Sequence, residues 1–477
     1  MKTGKVFLVG AGPGDVSLIT VKGMESIKQA EVILYDRLAN PKLLDFAPAD
    51  CELIYCGKLP DRHILRQEGI NSLLVEKALE GKIVVRLKGG DPGVFGRVGE
   101  EAQSLAEFNI PFEIVPGISS GIAAPLYAGI PVTHREFAES FAVVTAHDKS
   151  KEGKPLLDWE GLARGVDTIA FYMGVGNLPF ICENLIQHGK PAETPVILIQ
   201  WGTFGRQKTL QGTLVDIAEK AVKEQFRNPS IILVGEVISL REKLKWFENK
   251  PLYGRQILFA RTSTGQSSLA KELMEQGADV IEFPKWKRES VAADLGKAIA
   301  ADKILFTSTE SAEEFFKQLI EKDMDVRRIT AEFYVLSGKT KRFLNSRGFV
   351  AQLAEEIPGS GNLLVVGDAS ILNTTQYGSF EPLITVKKEI DQSYNFLFKR
   401  MLEEAEVNTV LFPSAASVKP FLKEIESAGL NVDELLAGAE VACLGNETRK
   451  EIEAAGLKMG IIPAEPTKDS LIKSLQY

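Results

Sequence analysis

Short apolar runs alternate with helix-forming segments from the start of the chain. Residues 5–9 and 31–35 are predicted as buried strands, and residues 17–29 between them are predicted as a helix. The same pattern predicts further strands at residues 82–87, 141–145, 168–172, 195–199, 230–234 and 256–260. Strands that alternate with helices form α/β layers, because each helix covers one face of a sheet. The sequence therefore predicts an α/β protein, and 477 residues are enough for more than one domain.

A charged segment at residues 241–250 interrupts this alternation, and Pro251 and Gly254 follow it directly. A new strand is predicted immediately afterwards, so we place the main domain boundary near residue 250. The first domain is expected to cover residues 1–247, with lobes of about 1–135 and 136–247. The second domain is expected to cover residues 253–477.

Two patterns recur within the second domain at almost the same spacing. Residues 306–316 and 412–422 each combine an apolar strand end, a polar turn and the start of a helix, 106 residues apart. Residues 337–340 and 444–448 match at an offset of 107 to 108. A repeat at a constant offset indicates duplicated structure, so we expect two similar α/β lobes of about 100 residues each.

Composition excludes several classes of function. Lys and Arg number 56 against 64 Asp and Glu, and a net charge of -8 does not provide the broad basic surface that nucleic acid binding needs. The four cysteines and four histidines have no zinc-ligand spacing, so we expect no metal site. The uncharged stretch at 114–133 contains three prolines, which excludes a simple membrane-spanning helix. We expect a cytoplasmic protein with reduced thiols.

The first glycine loop, Gly10-Ala-Gly-Pro-Gly-Asp15, follows a predicted strand and precedes a predicted helix. Backbone N–H groups at such a position can bind an anion or an adenosyl ligand. The dinucleotide fingerprint would need glycine where Asp15 stands, which disfavours NAD although Asp36 follows the second strand as a ribose-binding acid would. A tight turn without a ligand is the alternative interpretation.

Two further glycine loops also follow predicted strands. One covers residues 88–96, where Asp91 can accept hydrogen bonds, and the other covers residues 115–122. Because the carboxyl ends of parallel strands share one edge of a sheet, the three loops indicate one crevice.

The motifs along the first half are long and occur in a characteristic order. They cover residues 9–15, 35–38, 57–58, 88–92, 95–97, 116–119, 129–135, 172–174 and 202–203. Together they resemble the tetrapyrrole methylases, and most of all the uroporphyrinogen-III C-methyltransferases, from residue 4 to about 247. The resemblance implies two α/β lobes with S-adenosyl-L-methionine between them, commonly in a homodimer. It also implies methylation of two pyrrole carbons of uroporphyrinogen III, giving precorrin-2 for sirohaem or cobalamin.

The resemblance also assigns roles to particular residues. The cofactor contacts of the family fall on Pro13, Gly89, Gly90, Asp91, Val94, Ser119, Ser120, Met173 and Gly202. The proton acceptor corresponds to Asp36 and the proton donor to Lys58. The family has a basic residue directly after this lysine, whereas this chain has Leu59 there.

The expected chemistry agrees with these residue types. Methyl transfer depends on holding the nucleophilic carbon in line with the donor, and a carboxylate such as Asp36 can take up the released proton if desolvation raises its pKa. A substrate with eight carboxylates needs cations at the mouth of the site. The candidates are Arg37, Lys58, Arg62, His63, Lys88, Arg97 and Arg135.

The second half resembles uroporphyrinogen-III synthase. The matching segments are residues 259–262, 273–277, 306–308, 412–414, 445–448 and 466–471. The resemblance implies two flavodoxin-like lobes joined by two strands, and cyclisation of hydroxymethylbilane with inversion of one ring, without metal or cofactor. No acid–base pair is evident, so catalysis would depend on how the substrate is folded and its carboxylates bound.

One position departs from the synthase pattern. The family has a tyrosine where this chain has Ile384, and Tyr377 and Tyr394 are its neighbours in sequence. Four hydroxyl side chains have two open interpretations, helix capping or substrate binding. They belong to Thr307, Ser308, Ser414 and Thr448.

These observations predict a bifunctional tetrapyrrole enzyme whose second domain produces the substrate of the first. One alternative is a methylase of a later precorrin or of RNA, the latter disfavoured by the acidic balance. Another is a second domain that only binds a tetrapyrrole or supports a dimer. The sequence does not distinguish the sirohaem branch from the cobalamin branch.

Overall fold

The structure is a computed structural model that describes residues 3–48, 50–57, 66–146, 153–265, 267–354, 361–373 and 378–476. Four sheets account for the strands of this part of the chain, and they have five, five, four and six strands. Each sheet carries helices packed on apolar side chains, in agreement with the α/β class predicted from the sequence.

The first sheet is parallel, in the order β3-β2-β4-β1-β5. Its strands are β1 (Lys5–Gly10), β2 (Val32–Tyr35), β3 (Glu52–Tyr55), β4 (Ile83–Lys88) and β5 (Phe112–Val115). The helices of this part are α1 (Val21–Lys28), α2 (Gln67–Leu79), α3 (Val98–Glu107) and α4 (Ser120–Tyr127). Because the strands run in one direction, the loops after β1, β4 and β5 emerge at the same edge of the sheet.

The second sheet is mixed, in the order β6-β7-β10-β8-β9. Its strands are β6 (Phe141–Thr145), β7 (Thr168–Tyr172), β8 (Pro195–Gln200), β9 (Lys208–Thr213) and β10 (Ser230–Val234). The helices are α5 (Trp159–Gly165), α6 (Leu178–Gln187), α7 (Ile217–Lys223) and α8 (Arg241–Leu244). Only β6 and β7 pair in parallel, while β10 is antiparallel to both of its neighbours.

The remaining residues form two more sheets, in the orders β12-β11-β19-β20 and β13-β18-β17-β14-β15-β16. The strands are β11 (Gln256–Ala260), β12 (Asp279–Phe283), β13 (Trp286–Ser290), β14 (Lys303–Phe306), β15 (Glu332–Val335), β16 (Ala351–Leu353), β17 (Leu363–Asp368), β18 (Glu381–Ile390), β19 (Thr409–Phe412) and β20 (Glu440–Cys443). The helices are α9 (Ser268–Glu275), α10 (Gly296–Ile299), α11 (Thr309–Glu321), α12 (Gly338–Asn345), α13 (Asn395–Glu404), α14 (Val418–Ser427), α15 (Val432–Leu436), α16 (Asn446–Ala454) and α17 (Lys468–Ser474).

The two C-terminal lobes are not consecutive along the chain. The four-stranded sheet joins β11 and β12 to β19 and β20, and the six-stranded sheet is built from the residues between them. The chain crosses between the lobes through β13 and β18, which form an antiparallel pair. The two copies of the pattern that recurs after 106 residues begin at the last residues of β14 and β19, so each lobe holds one copy.

Helix α13 packs on both halves of the protein. Phe398 and Met401 lie in the core of the four-stranded lobe, whereas Leu397 is buried in the apolar cluster of the first sheet, with Val9 and Tyr35. One short helix therefore contributes to the cores of both halves.

The helix predicted at residues 17–29 is divided in the structure. A 3-10 turn at Val16–Leu18 is followed by α1, which starts after Thr20. The Thr20 side chain accepts a hydrogen bond from the backbone N–H of Gly23, which caps the new helix. Within the described ranges, none of the helices is long and apolar enough to cross a membrane.

Candidate active site

The three glycine loops meet at the edge of the first sheet. Gly12 and Gly90 form an antiparallel bridge, in which the N–H of Gly90 donates to the carbonyl of Gly12 over 2.7 Å. The carboxylate of Asp91 accepts the N–H of Gly117 at 2.9 Å and the N–H of Gly93 at 2.7 Å. Asp91 therefore joins the second loop to the third.

Two of these glycines are required by the close approach of the backbones. A Cβ on Gly10 would lie 2.6 Å from the Cα of Gly117, and a Cβ on Gly117 would lie 2.3 Å from the carbonyl oxygen of Gly90. Both distances are too short for any side chain, so the convergence of the loops depends on glycine at these positions.

Gly90 is required for a different reason. Its φ is +70°, a conformation that residues with a side chain rarely adopt. The space in front of it is open, since the nearest atom to an added Cβ is the backbone nitrogen of Ser120 at 3.8 Å. An open space bordered by backbone N–H groups at the start of α4 can accept a polar ligand.

The second lobe reaches this edge through β7. The hydroxyl of Tyr172 lies 2.5 Å from the Ser119 hydroxyl and accepts the N–H of Gly121 at 2.5 Å. Met173 follows with a φ of +55° and a side chain that is 44% exposed. Tyr172, the residue before Met173, thus links the second lobe to Ser119. Met173, Ser119 and Ser120 are all predicted cofactor contacts.

The loop after β8 makes a second junction between the lobes. A Cβ on Gly202 would lie 2.3 Å from the Cβ of Ala124 in α4, so this position requires glycine as well. The hydroxyl of Thr203 accepts the N–H of Asp15 at 3.0 Å, and the Asp15 carboxylate accepts the hydroxyl of Tyr127 at 2.8 Å. Burial and the Asp15 charge raise the pKa of Tyr127, which keeps this donor protonated.

The remaining predicted contacts lie at the rim of the same region. Pro13 stands between Gly12 and Gly14, in the loop that touches Gly90 on one side and Thr203 on the other. Val94 follows the turn that Asp91 closes, and its neighbour Phe95 packs edge-on against Tyr172, with ring centroids 5.2 Å apart.

Gly89 connects the second loop to the end of β2. A Cβ at this position would lie 2.8 Å from the Cβ of Leu38. The loop that carries Asp36 is therefore packed directly on the glycine loops.

Asp36 belongs to a network of charged side chains. Its Oδ1 atom accepts a hydrogen bond from Nη2 of Arg86 at 2.6 Å, and its side chain is 31% exposed. Arg86 also donates from Nε to Glu101 at 3.0 Å, and Lys88 donates to the same Glu101 oxygen at 2.8 Å. The carboxylate thus faces a guanidinium and is partly solvated, so the condition of desolvation considered from the sequence is not met in full.

The four predicted substrate cations that the structure describes do not form one group. Lys88 is buried against Glu101, and burial followed by the nearby Arg86 lowers the pKa of this lysine. Arg37 approaches Glu404 of α13 at 3.5 Å, while Arg97 and Arg135 are exposed. The sequence could not show that Lys88 forms an ion pair with the buried carboxylate of Glu101. Lys58, Arg62 and His63 lie outside the described residues.

In the C-terminal half, Ile384 lies on β18 opposite Gly367 and packs with the apolar side chains of Leu305 and Val365. Tyr394 does not lie beside it but packs between the halves, where the Lys285 amine lies 5.2 Å from its ring. Burial raises the pKa of Tyr394 far above its usual value. Tyr377 lies outside the described residues.

One of the four hydroxyl residues is a helix cap. Ser308 accepts the N–H of Ser311 at 3.1 Å and so caps α11. Thr307 donates to the carbonyl of Val366, and neither Ser414 nor Thr448 caps a helix through its side chain.

A cavity of about 860 Å³ lies between the two halves. Its walls include α1, the loop after β2 and the loop after β8 on one side, and α9, β12 and α13 on the other. Arg206 stacks on Trp201 at 4.2 Å and approaches Asp279 at 3.5 Å and Glu404 at 3.6 Å. None of the predicted cofactor contacts lines this cavity, but Gly14 and Asp15 of the first glycine loop do, so the cavity adjoins the crevice at the glycine loops.

Sequence reasoning did not identify several residues that organise the site. Tyr172 stood within a matching motif without a role, and Thr203 stood beside Gly202. One signal for Arg86 and Glu101 was available in the sequence. Arg86 is a charged residue inside an apolar strand, and such a residue predicts a buried partner. Among the described residues, no three His, Cys, Asp or Glu side chains lie together as a metal-binding group.

Comparison with known proteins confirms both resemblances. Residues 5–218 match the model of the tetrapyrrole (corrin/porphyrin) methylases, and residues 388–473 match that of uroporphyrinogen-III synthase HemD. A uroporphyrinogen-III C-methyltransferase of Bacillus subtilis is 48% identical, over 94% of this chain and 93% of the relative. The porphyrin biosynthesis protein HemD of Ruminiclostridium josui is 34% identical, over 100% of this chain and 98% of the relative. A solved uroporphyrin-III C-methyl transferase from Thermus thermophilus, complexed with S-adenyl homocysteine, is 38% identical with a TM-score of 0.43, over 50% of this chain and all of that one.

Proposed function

Because the chain belongs to the tetrapyrrole methylase family and carries a uroporphyrinogen-III synthase region, we propose that its two halves catalyse consecutive reactions. The C-terminal half cyclises hydroxymethylbilane to uroporphyrinogen III. The N-terminal half methylates that product at two carbons to give precorrin-2. The observation that carries the methylase assignment is the meeting of three glycine loops with Tyr172 of the second lobe.

The residues present fit S-adenosyl-L-methionine, which supplies an electrophilic methyl group when bound. The open space at Gly90, next to the first turn of α4, suits a ligand held by backbone donors. The exposed thioether of Met173 offers an apolar and polarisable contact on the other lobe. We assign cofactor binding to Pro13, Gly89, Gly90, Asp91, Val94, Ser119, Ser120, Met173 and Gly202.

The chain's main contribution to methyl transfer is positioning. The loops are fixed by backbone contacts and by Asp91, so a bound substrate carbon can be held in one orientation. Asp36 accepts the proton that the macrocycle releases after a ring carbon has been methylated, through the carboxylate oxygen that Arg86 does not hold. Lys58 is proposed as the proton donor. Arg135 is exposed and available for the carboxylates of the macrocycle, whereas the exposed Arg97 is paired with Glu100 and would have to exchange that carboxylate for one of the substrate.

The synthase half is proposed to act by holding its substrate between its two lobes. Ile384 provides no acid or base, and Tyr394 is fully engaged between the halves. Folding of the linear tetrapyrrole into a reactive conformation then provides most of the rate enhancement.

The protein is proposed to form a homodimer in the cytoplasm. The edge strand β5 exposes Phe112 and Ile114, and α4 and the loop before it expose Ile118, Ile122 and Leu126. Ile122 and Leu126 are one helical turn apart, so they present a common apolar face for a second copy. The cytoplasm is supported by the four free thiols.

An Asp36→Asn variant of the full chain tests the methylase assignment. It should bind S-adenosylhomocysteine normally and lose about 10²–10⁴-fold in methylation rate, because an amide cannot take up the proton. The exposed Asp50 provides a matched control, and Asp50→Asn should keep the full rate. Failure of the unmodified protein to bind S-adenosylhomocysteine would contradict the proposed cofactor site.

A further inference from the structure

Arg86 is a charged residue in an otherwise apolar part of the first sheet. It lies opposite Leu34 in the register of β2 and β4, and its side chain is only 2% exposed. Val84 and Leu87 of the same strand are fully buried and apolar. A guanidinium at this place loses its hydration, a cost that an apolar residue would avoid.

The partner of Arg86 inside the protein is Glu101 of α3, which is 0% exposed. One oxygen of Glu101 accepts Arg86 at 3.0 Å, Lys88 at 2.8 Å and the Gln67 amide at 3.3 Å. Among the described residues, its other oxygen has no hydrogen-bond partner. An ion pair of this kind adds little to stability compared with apolar residues of similar size, so stability alone does not account for it.

The far end of the guanidinium explains the arrangement. Nε faces Glu101, while Nη2 reaches Asp36 at 2.6 Å, so two nitrogens of one planar group join the interior to the site. Burial works against the charge of Arg86, yet the carboxylates of Asp36 and Glu101 outweigh it and raise the pKa of the guanidinium. Arg86 therefore stays charged, and its orientation is fixed by a partner that cannot move into solvent.

The contact uses one oxygen of Asp36 and leaves the other available. Within the described ranges, Oδ1 is the Asp36 side-chain atom that takes part in hydrogen bonds, and the side chain is partly open to solvent. A bond to one oxygen fixes the direction in which the second oxygen points.

We infer that Arg86, held by Glu101, is a positioning residue that orients the Asp36 carboxylate toward the proton that the methylated macrocycle releases. This inference rests on the proposed role of Asp36 as the proton acceptor. A lysine at position 86 keeps the positive charge but cannot join two carboxylates through two nitrogens fixed in one rigid plane. The fork of the guanidinium, and not its charge alone, is thus the required feature.

The test compares Arg86→Lys with Asp36→Asn and with the double variant, all in the full chain. Arg86→Lys should lower kcat for methylation of uroporphyrinogen III by about 10- to 100-fold, a fraction of a typical general-base contribution. The KM for uroporphyrinogen III and the affinity for S-adenosylhomocysteine should stay within about two-fold, because positioning of a base acts on the chemical step. Adding Arg86→Lys to Asp36→Asn should cause little further loss, since a base that has been removed can no longer be positioned.

Two further variants separate positioning from folding. Arg86→Gln removes the guanidinium but leaves Glu101 paired with Lys88, and it should show the same loss of kcat with intact S-adenosylhomocysteine binding. Arg241→Lys changes another buried arginine, paired with Glu248, and should keep normal methylation.

The outcomes distinguish the inference from the proposal on which it rests. Normal kcat in Arg86→Lys together with a large loss in Asp36→Asn would overturn the positioning role and leave Asp36 as the base. Normal kcat in Asp36→Asn would remove the proposed base, and the inference with it. Losses that multiply in the double variant would show that Arg86 acts independently of Asp36, which also overturns the inference.

Discussion

Gly117 is the position where a single methyl group should disrupt the site most. A Cβ there would lie 2.3 Å from the Gly90 carbonyl oxygen and 2.8 Å from the Cα of Gly10. Ordinary contact begins at 3.4 Å, so one of these backbones has to move by about 1.1 Å. Neither is the flexible end of a side chain, and Asp91 is bonded to Gly117, so the shift reaches two of the three loops.

A displacement of about 1 Å in a binding site costs on the order of 10²-fold. Gly117→Ala should therefore weaken S-adenosylhomocysteine binding by about 10²-fold, or about 2.8 kcal/mol at 1.4 kcal/mol per factor of ten. Isothermal titration of the full chain measures this directly.

Gly99 provides the matched control, because a Cβ there meets no atom within 4 Å. It lies in α3, where alanine is favoured over glycine by up to about 1 kcal/mol, so Gly99→Ala should bind normally and melt no lower. Normal affinity in a folded Gly117→Ala protein would refute the reasoning, because the cofactor would then not depend on the contact between the loops.

Further expectations concern both halves. Tyr172→Phe removes the hydroxyl shared by Ser119 and Gly121, and the free energy of unfolding in urea should fall by about 1–3 kcal/mol. Ile384→Tyr should change the rate of hydroxymethylbilane cyclisation only modestly, whereas a large gain would show that a tyrosine at this position is central to the reaction. Arg206→Met removes contacts with the C-terminal half, so calorimetry should show the melting transitions of the two halves moving apart, and a single unchanged transition would contradict this.

Strands that are buried and rich in β-branched residues were predictable from the sequence. The predicted bounds 141–145, 168–172, 230–234 and 256–260 coincide with observed strands. The strands that were missed include β5 and β9, which lie at the edges of their sheets. Edge strands have one unpaired side and partly polar faces, so their pattern resembles a loop.

The division of the C-terminal half illustrates a different limit. The repeat at 106 residues predicted two similar lobes, but a periodic pattern cannot say which strands pair. β11 pairs with β19, about 150 residues later, because strand pairing is decided by packing across the whole chain. The residues that form the six-stranded lobe therefore lie, along the chain, between the two segments that form the four-stranded lobe.

The glycine loops were predictable because close backbone contact permits few residue types. At Gly10 a short backbone distance requires glycine, and at Gly90 a positive φ favours it, so both constraints can be recognised in the sequence as glycines. The hydrogen bond from Arg86 to Asp36 cannot be recognised in the sequence in this way. The two residues are 50 positions apart, and only the pairing of strands β2 and β4 brings them together.

The most direct measurement of the bifunctional assignment supplies the full chain with hydroxymethylbilane and S-adenosylmethionine under anaerobic conditions. The products are then separated and their skeleton and methyl count determined by mass spectrometry and NMR. We expect a dimethylated product with the inverted, type III arrangement of side chains. A product with only the uninverted type I skeleton, formed at the rate of the spontaneous reaction, would contradict the assignment.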